Sequence, residues 1–187
     1  MPRSGDDARR RLAQAALELF SERGYDATTT AEIAARAGVT ERTFFRHFPD
    51  KREVLFDGEA AFRDTLADGV LAAPRELDPL GALRWSFLSV EQTLIDNRGF
   101  SGPRAALIAR TPALQERVLS KIANLTKALA DALGRRGVEP AVAALAAEVG
   151  MAAFNYAAAA WIADPTSGLD ANLARAFDRL KGLASPA

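Results

Sequence analysis

The sequence predicts an all-α protein, and three observations lead to that fold class. Alanine and leucine are abundant in a chain that is 49% hydrophobic, which is enough to build a packed core. Apolar residues recur at intervals of three and four, the period of an amphipathic helix. No run of alternating β-branched residues lies between turn residues, so no strand is expected. The length of 187 residues allows a small module joined to a larger domain.

Glycine, proline and short polar stretches mark the ends of about nine helices. Gly24 ends the first helix, Gly38 separates the next two, and Phe48-Pro49-Asp50 closes the third. Residues 1–52 are expected to form an N-terminal domain and residues 53–187 a helical remainder. The helices are predicted near 7–23, 29–36, 40–46, 50–72, 78–98, 103–109, 112–134, 139–163 and 169–183, and the one near 50–72 is expected to connect the two domains.

Composition excludes several classes of function. The chain has no cysteine and one histidine, which excludes disulfide frameworks, thiolate zinc sites, multi-histidine metal sites and cysteine nucleophiles. No glycine-rich phosphate loop and no close serine–histidine pair is present, so we expect neither an enzyme nor a bound cofactor. The polar N-terminus has no apolar run that would act as a signal sequence, and the protein is expected in the cytoplasm.

The predicted helix near 139–163 is apolar on most sides. It is long enough to span a bilayer, but eleven of the twenty residues from Ala141 to Ala160 are alanine, which contributes little to insertion. Glu148 near its centre would add a cost, so no membrane span is expected. Burial inside one subunit is an alternative explanation, but a chain this small has few ways to surround a helix. A subunit interface is therefore favoured.

The segment from Thr28 to Phe48 fits a helix-turn-helix, with the motif itself at about 29–48. Thr29 and Glu32 have the spacing of a capping box, which defines the start of a short helix. Gly38 can adopt positive φ and turn the chain sharply, and Thr40 can cap a second short helix. Two short helices joined by a glycine turn are the pattern by which many proteins read DNA.

Basic residues surround this motif: Arg36, Arg42, Arg46, Lys51 and Arg52. A charge cluster alone is typical of any solvated face, so the motif is needed to give it meaning. Arg42 could grip guanine with its forked guanidinium, and the Thr43 methyl or hydroxyl could meet a base or a phosphate. Lys51, at the start of the next predicted helix, could contact a phosphate through its charge and the helix dipole.

The run from Arg10 to about Leu55, a quarter of the chain, resembles the TetR family of bacterial transcriptional regulators. The family pattern is matched by Ala16 to Tyr25, by Thr28 to Ala34, by Ala37 to Thr40, and by Thr43 to Lys51. One departure is Phe45 in place of the usual tyrosine, which removes a hydroxyl donor to phosphate. His47 is either a packed, hydrogen-bonded histidine or, by the resemblance, a phosphate contact. The expected DNA-binding residues are Thr29, Thr30, Thr40, Glu41, Arg42, Thr43, Phe45, His47 and Lys51.

The resemblance also implies a ligand domain that forms a dimer through its last two long helices. Asn155 is the leading candidate for a ligand contact, because a buried amide among aromatic and alanine neighbours would need a partner. The expected pocket residues are Arg84, Trp85, Glu91, Arg104, Asn124, Asn155 and Tyr156. The expected interface residues are Ala146, Val149, Ala153, Ala157, Trp161, Leu173, Phe177 and Leu180.

The sequence therefore predicts a homodimeric repressor that binds a palindromic operator in double-stranded DNA and is released by a small-molecule effector. An activator of the same architecture remains open, because no residue sets the geometry at a promoter. A helical interaction protein without DNA binding is a further alternative. Neither a metal nor a membrane is expected to take part.

Overall fold

The computed structural model describes residues 3–164 and 166–184. This part of the chain is all α-helical apart from loops and one 3₁₀ turn, which confirms the predicted fold class. The elements are α1 (Arg3–Arg23), α2 (Thr30–Arg36), α3 (Glu41–His47), the 3₁₀ turn (Glu53–Phe56), α4 (Glu59–Ala72), α5 (Pro79–Ser89), α6 (Glu91–Asp96), α7 (Arg98–Ala109), α8 (Pro112–Arg135), α9 (Pro140–Ala163) and α10 (Leu169–Ala184).

Two predicted long helices are interrupted. The one expected at 50–72 begins as the 3₁₀ turn, breaks at Gly58, where φ is +80°, and continues as α4. The Asp50 carboxylate accepts hydrogen bonds from the backbone N–H groups of Arg52 and Glu53 and so fixes the approach to this turn. The helix expected at 78–98 breaks at Val90, where φ is −99° and ψ is 2°, which separates α5 from α6.

The chain divides into two compact units. The first runs to Glu59 and includes Gly99–Val118, and the second comprises Ala60–Arg98 and the chain from Leu119 onward. The first unit therefore differs from the predicted N-terminal domain, which stops at residue 52. Its core explains the difference, because Leu107 and Leu114, 1% and 0% exposed, belong to the same apolar cluster as the side chains of the 3₁₀ turn.

The core of the first unit joins α1, α2, α3 and the 3₁₀ turn. Leu12 and Phe20 of α1, Ile33 of α2 and Phe44 of α3 are all completely buried in one cluster. Burying each such side chain stabilises the fold by about 1.5–3 kcal/mol. Because α2 and α3 each contribute at least one fully buried side chain, both are held firmly although each has seven residues.

The second unit is built around α9, which packs against α5 and α10. Phe154 of α9 stacks on Phe87 of α5, with ring centres 4.6 Å apart. A Cβ at Gly150 would lie 2.7 Å from the Leu83 Cδ1 atom, so a larger residue would require the Leu83 side chain to move where α9 passes α5. The close approach of small residues is therefore used inside this unit.

The composition and length of α9 would also suit a membrane span. Its inner face explains the apolar character, since Ala147 and Ala157 are completely buried against neighbouring helices. Its outer face is apolar as well, with Val142, Leu145 and Tyr156 about half or more exposed. The all-round apolar pattern therefore combines a core face with an exposed apolar face.

Candidate nucleic-acid interface

The start of α2 is fixed by the predicted capping box. The Thr29 hydroxyl oxygen accepts a hydrogen bond from the Glu32 backbone N–H, and a Glu32 carboxylate oxygen accepts one from the Thr29 N–H at 2.9 Å. Arg23 of α1 donates to the other Glu32 carboxylate oxygen at 3.0 Å. Such a cap contributes about 1 kcal/mol to the helix and sets the direction in which α2 leaves the loop.

The turn between α2 and α3 depends on Gly38, whose φ is +67°. Beyond this residue the Val39 N–H donates to the Ala34 carbonyl oxygen at 2.9 Å, which closes the turn. Thr40 then caps α3, because its hydroxyl oxygen accepts from the Thr43 N–H at 3.2 Å. A side chain at position 38 would strain this conformation, so the angle between the two helices follows from local sequence.

The two faces of α3 differ sharply. Phe44 is fully buried on the inner face and anchors the helix, whereas Glu41, Arg42, Phe45 and Arg46 are exposed on the outer face. Phe45 is 52% exposed and packs edge-on against Phe44, with ring centres 5.4 Å apart. The outer face is thus a rigid, mixed polar and aromatic surface on a short helix, as groove recognition requires.

Hydroxyl groups on this surface are partly committed to one another. Thr30 of α2 donates to the Glu41 carboxylate of α3 at 2.5 Å, which ties the two helices together. The hydroxyl oxygens of Thr40 and Thr43 are 3.0 Å apart and share a hydrogen bond. Arg42, in contrast, has no hydrogen-bond or ionic partner within the described residues. Its guanidinium is therefore free to meet a base edge.

The contacts of Lys51 differ from the predicted phosphate contact. Its ammonium donates to the carbonyl oxygens of Tyr25 at 2.8 Å, Thr28 at 3.0 Å and Asp26 at 3.4 Å. It also lies 4.4 Å from the centre of the Tyr25 ring. These carbonyls follow the C-terminus of α1, where the helix dipole and the free carbonyls favour a cation. Lys51 therefore fastens the loop before α2 and is not available as a free charge.

The basic cluster of the sequence is reduced in the same way. Arg36 forks onto the Glu22 carboxylate of α1, with nitrogen–oxygen distances of 3.1 and 3.0 Å. This pair lowers the pKa of Glu22 and raises that of Arg36, chiefly through the hydrogen bonds that join them. Arg52 lies 3.5 Å from the nearest Asp50 carboxylate oxygen and 3.8 Å from that of Glu53. Within the described residues Arg42 and Arg46 remain on the α3 surface without a carboxylate partner.

His47 lies half-buried at the end of α3, beside Arg46, whose guanidinium nitrogen is 3.4 Å from its Nε2 atom. Burial, followed by the positive charges of Arg46 and Arg9, lowers the pKa of His47 below its ordinary value. Arg9 of α1 is held there by Asp57, at 2.9 Å, and over the Phe48 ring. The imidazole is thus poised in a positive environment that an anion would relieve.

A second ionic group supports the 3₁₀ turn from α8. Arg117 donates from Nε to Glu53 at 2.6 Å and from an Nη nitrogen to Glu59 at 2.7 Å. Both carboxylates raise the pKa of Arg117. Sequence analysis missed this group, because Arg117 is separated from its partners by 64 and 58 positions and no local pattern indicates the pairing.

The predicted pocket residues do not converge on one site in this structure. Arg84, Trp85, Asn124, Asn155 and Tyr156 are exposed, and Glu91 is half-buried. Asn155 in particular lies on the outer face of α9, so its amide reaches solvent and needs no buried partner. This corrects the argument from burial that made it the leading ligand contact. Arg104 is the candidate with a largely buried guanidinium, and it belongs to the first compact unit.

The predicted interface residues divide into two sets. Ala157, Trp161, Leu173 and Phe177 are at most 4% exposed and belong to the core of their own subunit, which corrects their assignment to a surface. Ala146 is also buried. The remaining three, Val149, Ala153 and Leu180, line an exposed apolar groove of about 530 Å³ along α9 and α10. The groove is formed by Val149, Ala152, Ala153, Tyr156, Ala176, Arg179, Leu180, Gly182 and Leu183.

Metal binding finds no support in the described residues, where no group of three or more histidine, cysteine, aspartate or glutamate side chains is placed to hold an ion.

The capped helix pair, its glycine turn and the exposed face of α3 together define a helix-turn-helix DNA-binding unit joined to a second helical unit. Proteins of this class regulate transcription.

Comparison with known sequences identifies the family. The profile of bacterial regulatory proteins of the tetR family matches residues 12–57, and that of the MftR C-terminal domain matches residues 77–184. This chain therefore belongs to the TetR family of transcriptional regulators, with its DNA-binding domain at the N-terminus. The relatives described below are named as transcriptional regulators and not as enzymes.

Individual relatives differ in how much of the chain they match. The regulator TcmR of Streptomyces glaucescens is 33% identical over 138 residues, which cover 70% of this chain and 61% of TcmR. The transcriptional regulator MftR of Mycobacterium tuberculosis is 26% identical over 95% of this chain and 94% of its own length. The chain thus spans less than two thirds of TcmR.

Solved structures share the fold. The SmeT–triclosan complex has a TM-score of 0.64 and 23% identity, and covers 92% of this chain and 88% of its own. The Thermus thermophilus repressor FadR in complex with lauroyl-CoA has a TM-score of 0.55 and 23% identity, with 91% of each chain covered. At this identity the likeness concerns the architecture alone.

Proposed function

We propose that this regulator is a homodimeric, cytoplasmic repressor that binds a palindromic operator through α3 and is released by a small-molecule effector. The observation that carries the proposal is the outer face of α3, where Arg42 is exposed and has no partner among the residues that the structure describes, on a helix fixed by Thr40 and Phe44. A pre-positioned fork can pair with the O6 and N7 acceptors of guanine. Thr30, Thr43, Phe45 and His47 lie around it as further contacts.

Contacts to the DNA backbone are proposed for residues of α3 that are exposed or that lie in a positive environment. Arg46 is exposed beside His47, and the low pKa of that imidazole would rise when a phosphate approaches. Phe45 cannot donate to phosphate, but its exposed ring can pack against a deoxyribose or a thymine methyl. Such contacts position the helix, while Arg42 supplies base preference.

Arg42→Ala should therefore relax base preference at one position in each half-site. We expect the variant to lose about 1–3 kcal/mol on the preferred operator and to change little on random DNA, because one bidentate base contact is lost. Competition gel shifts with both DNAs measure the ratio, and Arg84→Ala, an exposed arginine of the second unit, serves as control. Equal losses on both DNAs would remove the readout role of Arg42.

The homodimer is supported by the apolar groove of α9 and α10. Leu183 is 85% exposed and Tyr156 54% exposed, although both line an apolar surface. Soluble monomers rarely expose a continuous apolar surface of this kind. A second copy of the same face would cover it, and a homodimer supplies two α3 helices for a palindrome whose half-sites are expected about one helical turn apart.

A charge in this groove should separate the subunits without unfolding them. Ala152→Glu introduces a carboxylate at an exposed position, so we expect folded monomers and weak operator binding. Analytical ultracentrifugation and circular dichroism check both points. Leu119→Glu is the matched control, since Leu119 is 69% exposed and lies outside the groove. A dimeric Ala152→Glu protein would refute the proposed interface, whereas a charge at the buried Ala157 would disrupt the core instead.

An apolar-bodied small molecule is proposed as the effector. The likeness of this fold to a SmeT–triclosan complex and to a FadR–lauroyl-CoA complex supports a helical domain that accommodates such ligands. Release follows when the effector binds the form that does not fit the operator more tightly than the form that does. Direct titration of the purified protein with candidate compounds, read by operator dissociation, tests this part.

A further inference from the structure

Arg104 of α7 is a partly buried cation without a hydrogen-bonded partner in the described part of the chain. Its Nε atom is buried and makes no hydrogen bond, and its Cζ atom lies 4.9 Å from the centre of the Phe56 ring. Burial lowers the pKa of Arg104. Leaving a buried donor of a charged group unpaired is costly, and a group of this kind calls for an explanation.

The neighbouring carboxylates do not supply the missing acceptor. Glu59 exerts a favourable field on Arg104, but its carboxylate accepts a hydrogen bond from Arg117 at 2.7 Å. Arg117 in turn lies over Phe56, with its Cζ atom 4.7 Å from the ring centre, and its charge disfavours that of Arg104. Two guanidinium groups thus share one aromatic ring, while one of them holds both nearby glutamates.

These residues form a series of alternating charges within the first unit. Asp50 lies near Arg52 at 3.5 Å, and Glu53 lies 3.8 Å from Arg52 and 2.6 Å from Arg117. Glu59 follows on the other side of Arg117, and Arg104 comes last. The series starts next to the C-terminus of α3 and ends in Arg104, whose buried Nε–H has no acceptor in the described part of the chain. A further carboxylate would take the next place in it.

The surface around Arg104 is apolar along α7. Phe100 and Ile108 stand four residues before and after it, which places all three on one face of the helix. Both are partly buried against the core of the first unit. The parts of Phe100 and Ile108 that stay exposed can contact the apolar body of an anion whose charged end meets the guanidinium.

We propose that Arg104 binds the carboxylate of an organic acid with an apolar body, and that this acid is the effector of the regulator. The inference rests on the proposed function for its regulatory meaning, but the binding site stands on its own geometry. A carboxylate can accept two hydrogen bonds from the planar guanidinium. It would also draw Arg104 away from Glu59, and that disturbance reaches Glu53 and Asp50 beside α3 through Arg117.

The test uses the full-length protein and two carboxylates of different shape, octanoate and phenylacetate. Their uncharged counterparts, 1-octanol and 2-phenylethanol, carry the same apolar bodies. In ¹H–¹⁵N spectra the Arg104 Nε–H resonance is identified by its loss in Arg104→Gln. We expect at least one carboxylate to shift this resonance in a saturable manner and neither alcohol to do so.

Variants separate the guanidinium from the rest of the surface. Arg104→Gln should weaken binding of the active carboxylate at least tenfold by calorimetry, and Arg104→Lys, which keeps a charge but lacks the fork, should weaken it less. Arg110→Gln is the control, because Arg110 is exposed just beyond α7. Circular dichroism confirms that each variant is folded.

The outcomes distinguish this site from the proposed function. If neither carboxylate moves the resonance, or if Arg104→Gln binds as tightly as the wild type, the site does not exist. The titration needs no DNA, so its result holds even if the protein fails to bind an operator. If the carboxylate binds at Arg104 but leaves the affinity for a bound operator unchanged, the site stands and its role as effector site is refuted.

Discussion

Lys51→Met should lower the free energy of unfolding of the first unit by about 2–3 kcal/mol. Methionine keeps most of the aliphatic stem but removes the ammonium that serves the carbonyls of Tyr25, Asp26 and Thr28. Three carbonyl oxygens then lose their charged donor, and the contact with the Tyr25 ring is lost as well. Because this loop leads into the cap of α2, operator binding should fall with the stability.

Urea denaturation followed by circular dichroism measures this loss, and Lys127→Met is the matched control. Lys127 is 76% exposed and pairs with Asp131 one helical turn away, so its removal should cost less than about 0.5 kcal/mol. The opposite result would favour the phosphate contact that the sequence alone predicts for Lys51. In that case the variant would be as stable as the wild type, and the salt dependence of its DNA binding would decrease by about one ion.

Arg117→Met should destabilise the same unit by about 2–4 kcal/mol, because it leaves the Glu53 and Glu59 carboxylates close together without the guanidinium that hydrogen-bonds to both. The side chains of Glu53 and Glu59 are 25% and 15% exposed, so water screens them poorly. Removing one partner from a pair buried to this extent costs more than the pair itself contributes. The loss should therefore exceed that of any surface ion pair in the protein.

A double-mutant cycle separates the pair from the packing of Arg117 on Phe56. In the Arg117→Met background, Glu53→Gln should recover part of the stability, because it removes one of the two carboxylates that Arg117 neutralises in the wild type. Arg63→Met is the control, since Arg63 pairs with the adjacent Asp64 at the surface and should contribute less than about 1 kcal/mol. If Arg117→Met behaves like Arg63→Met, the ionic group does not support the 3₁₀ turn.

The parts of the site that the sequence predicts are those fixed by neighbours in the chain. Thr29 and Glu32 stand three residues apart, and their reciprocal hydrogen bonds follow from that spacing. Gly38 follows in the same way from the turn it must make. The helix-turn-helix is therefore largely a local property of the sequence.

The tertiary hydrogen bonds and ion pairs of the charged side chains could not be predicted from the sequence. Lys51 meets carbonyls that lie 23 to 26 positions earlier, and Arg117 meets glutamates about 60 positions away. A count of basic residues cannot tell a free cation from one that tertiary contacts occupy. For this reason only Arg42 and Arg46 of the basic cluster predicted from the sequence are left as candidates for DNA contacts on the surface of α3.

The orientation of α9 was hidden for a different reason. Its periodicity is weak because alanine and larger apolar residues occupy both faces, so the pattern does not indicate which face lies inward. Asn155 and Ala157 illustrate the result, since the polar residue is exposed and the small apolar residue is buried. Packing of α9 against α5 and α10 decides the matter, and that packing is set by residues distant in the chain.

Selection of operators from random DNA by the full-length protein tests the central claim most directly. We expect an enriched palindrome whose half-sites are centred about one helical turn apart, with a guanine in each half-site that is no longer enriched when Arg42→Ala is used. Enrichment of no sequence, or of a sequence without two-fold symmetry that Arg42→Ala selects equally well, would contradict operator recognition through α3.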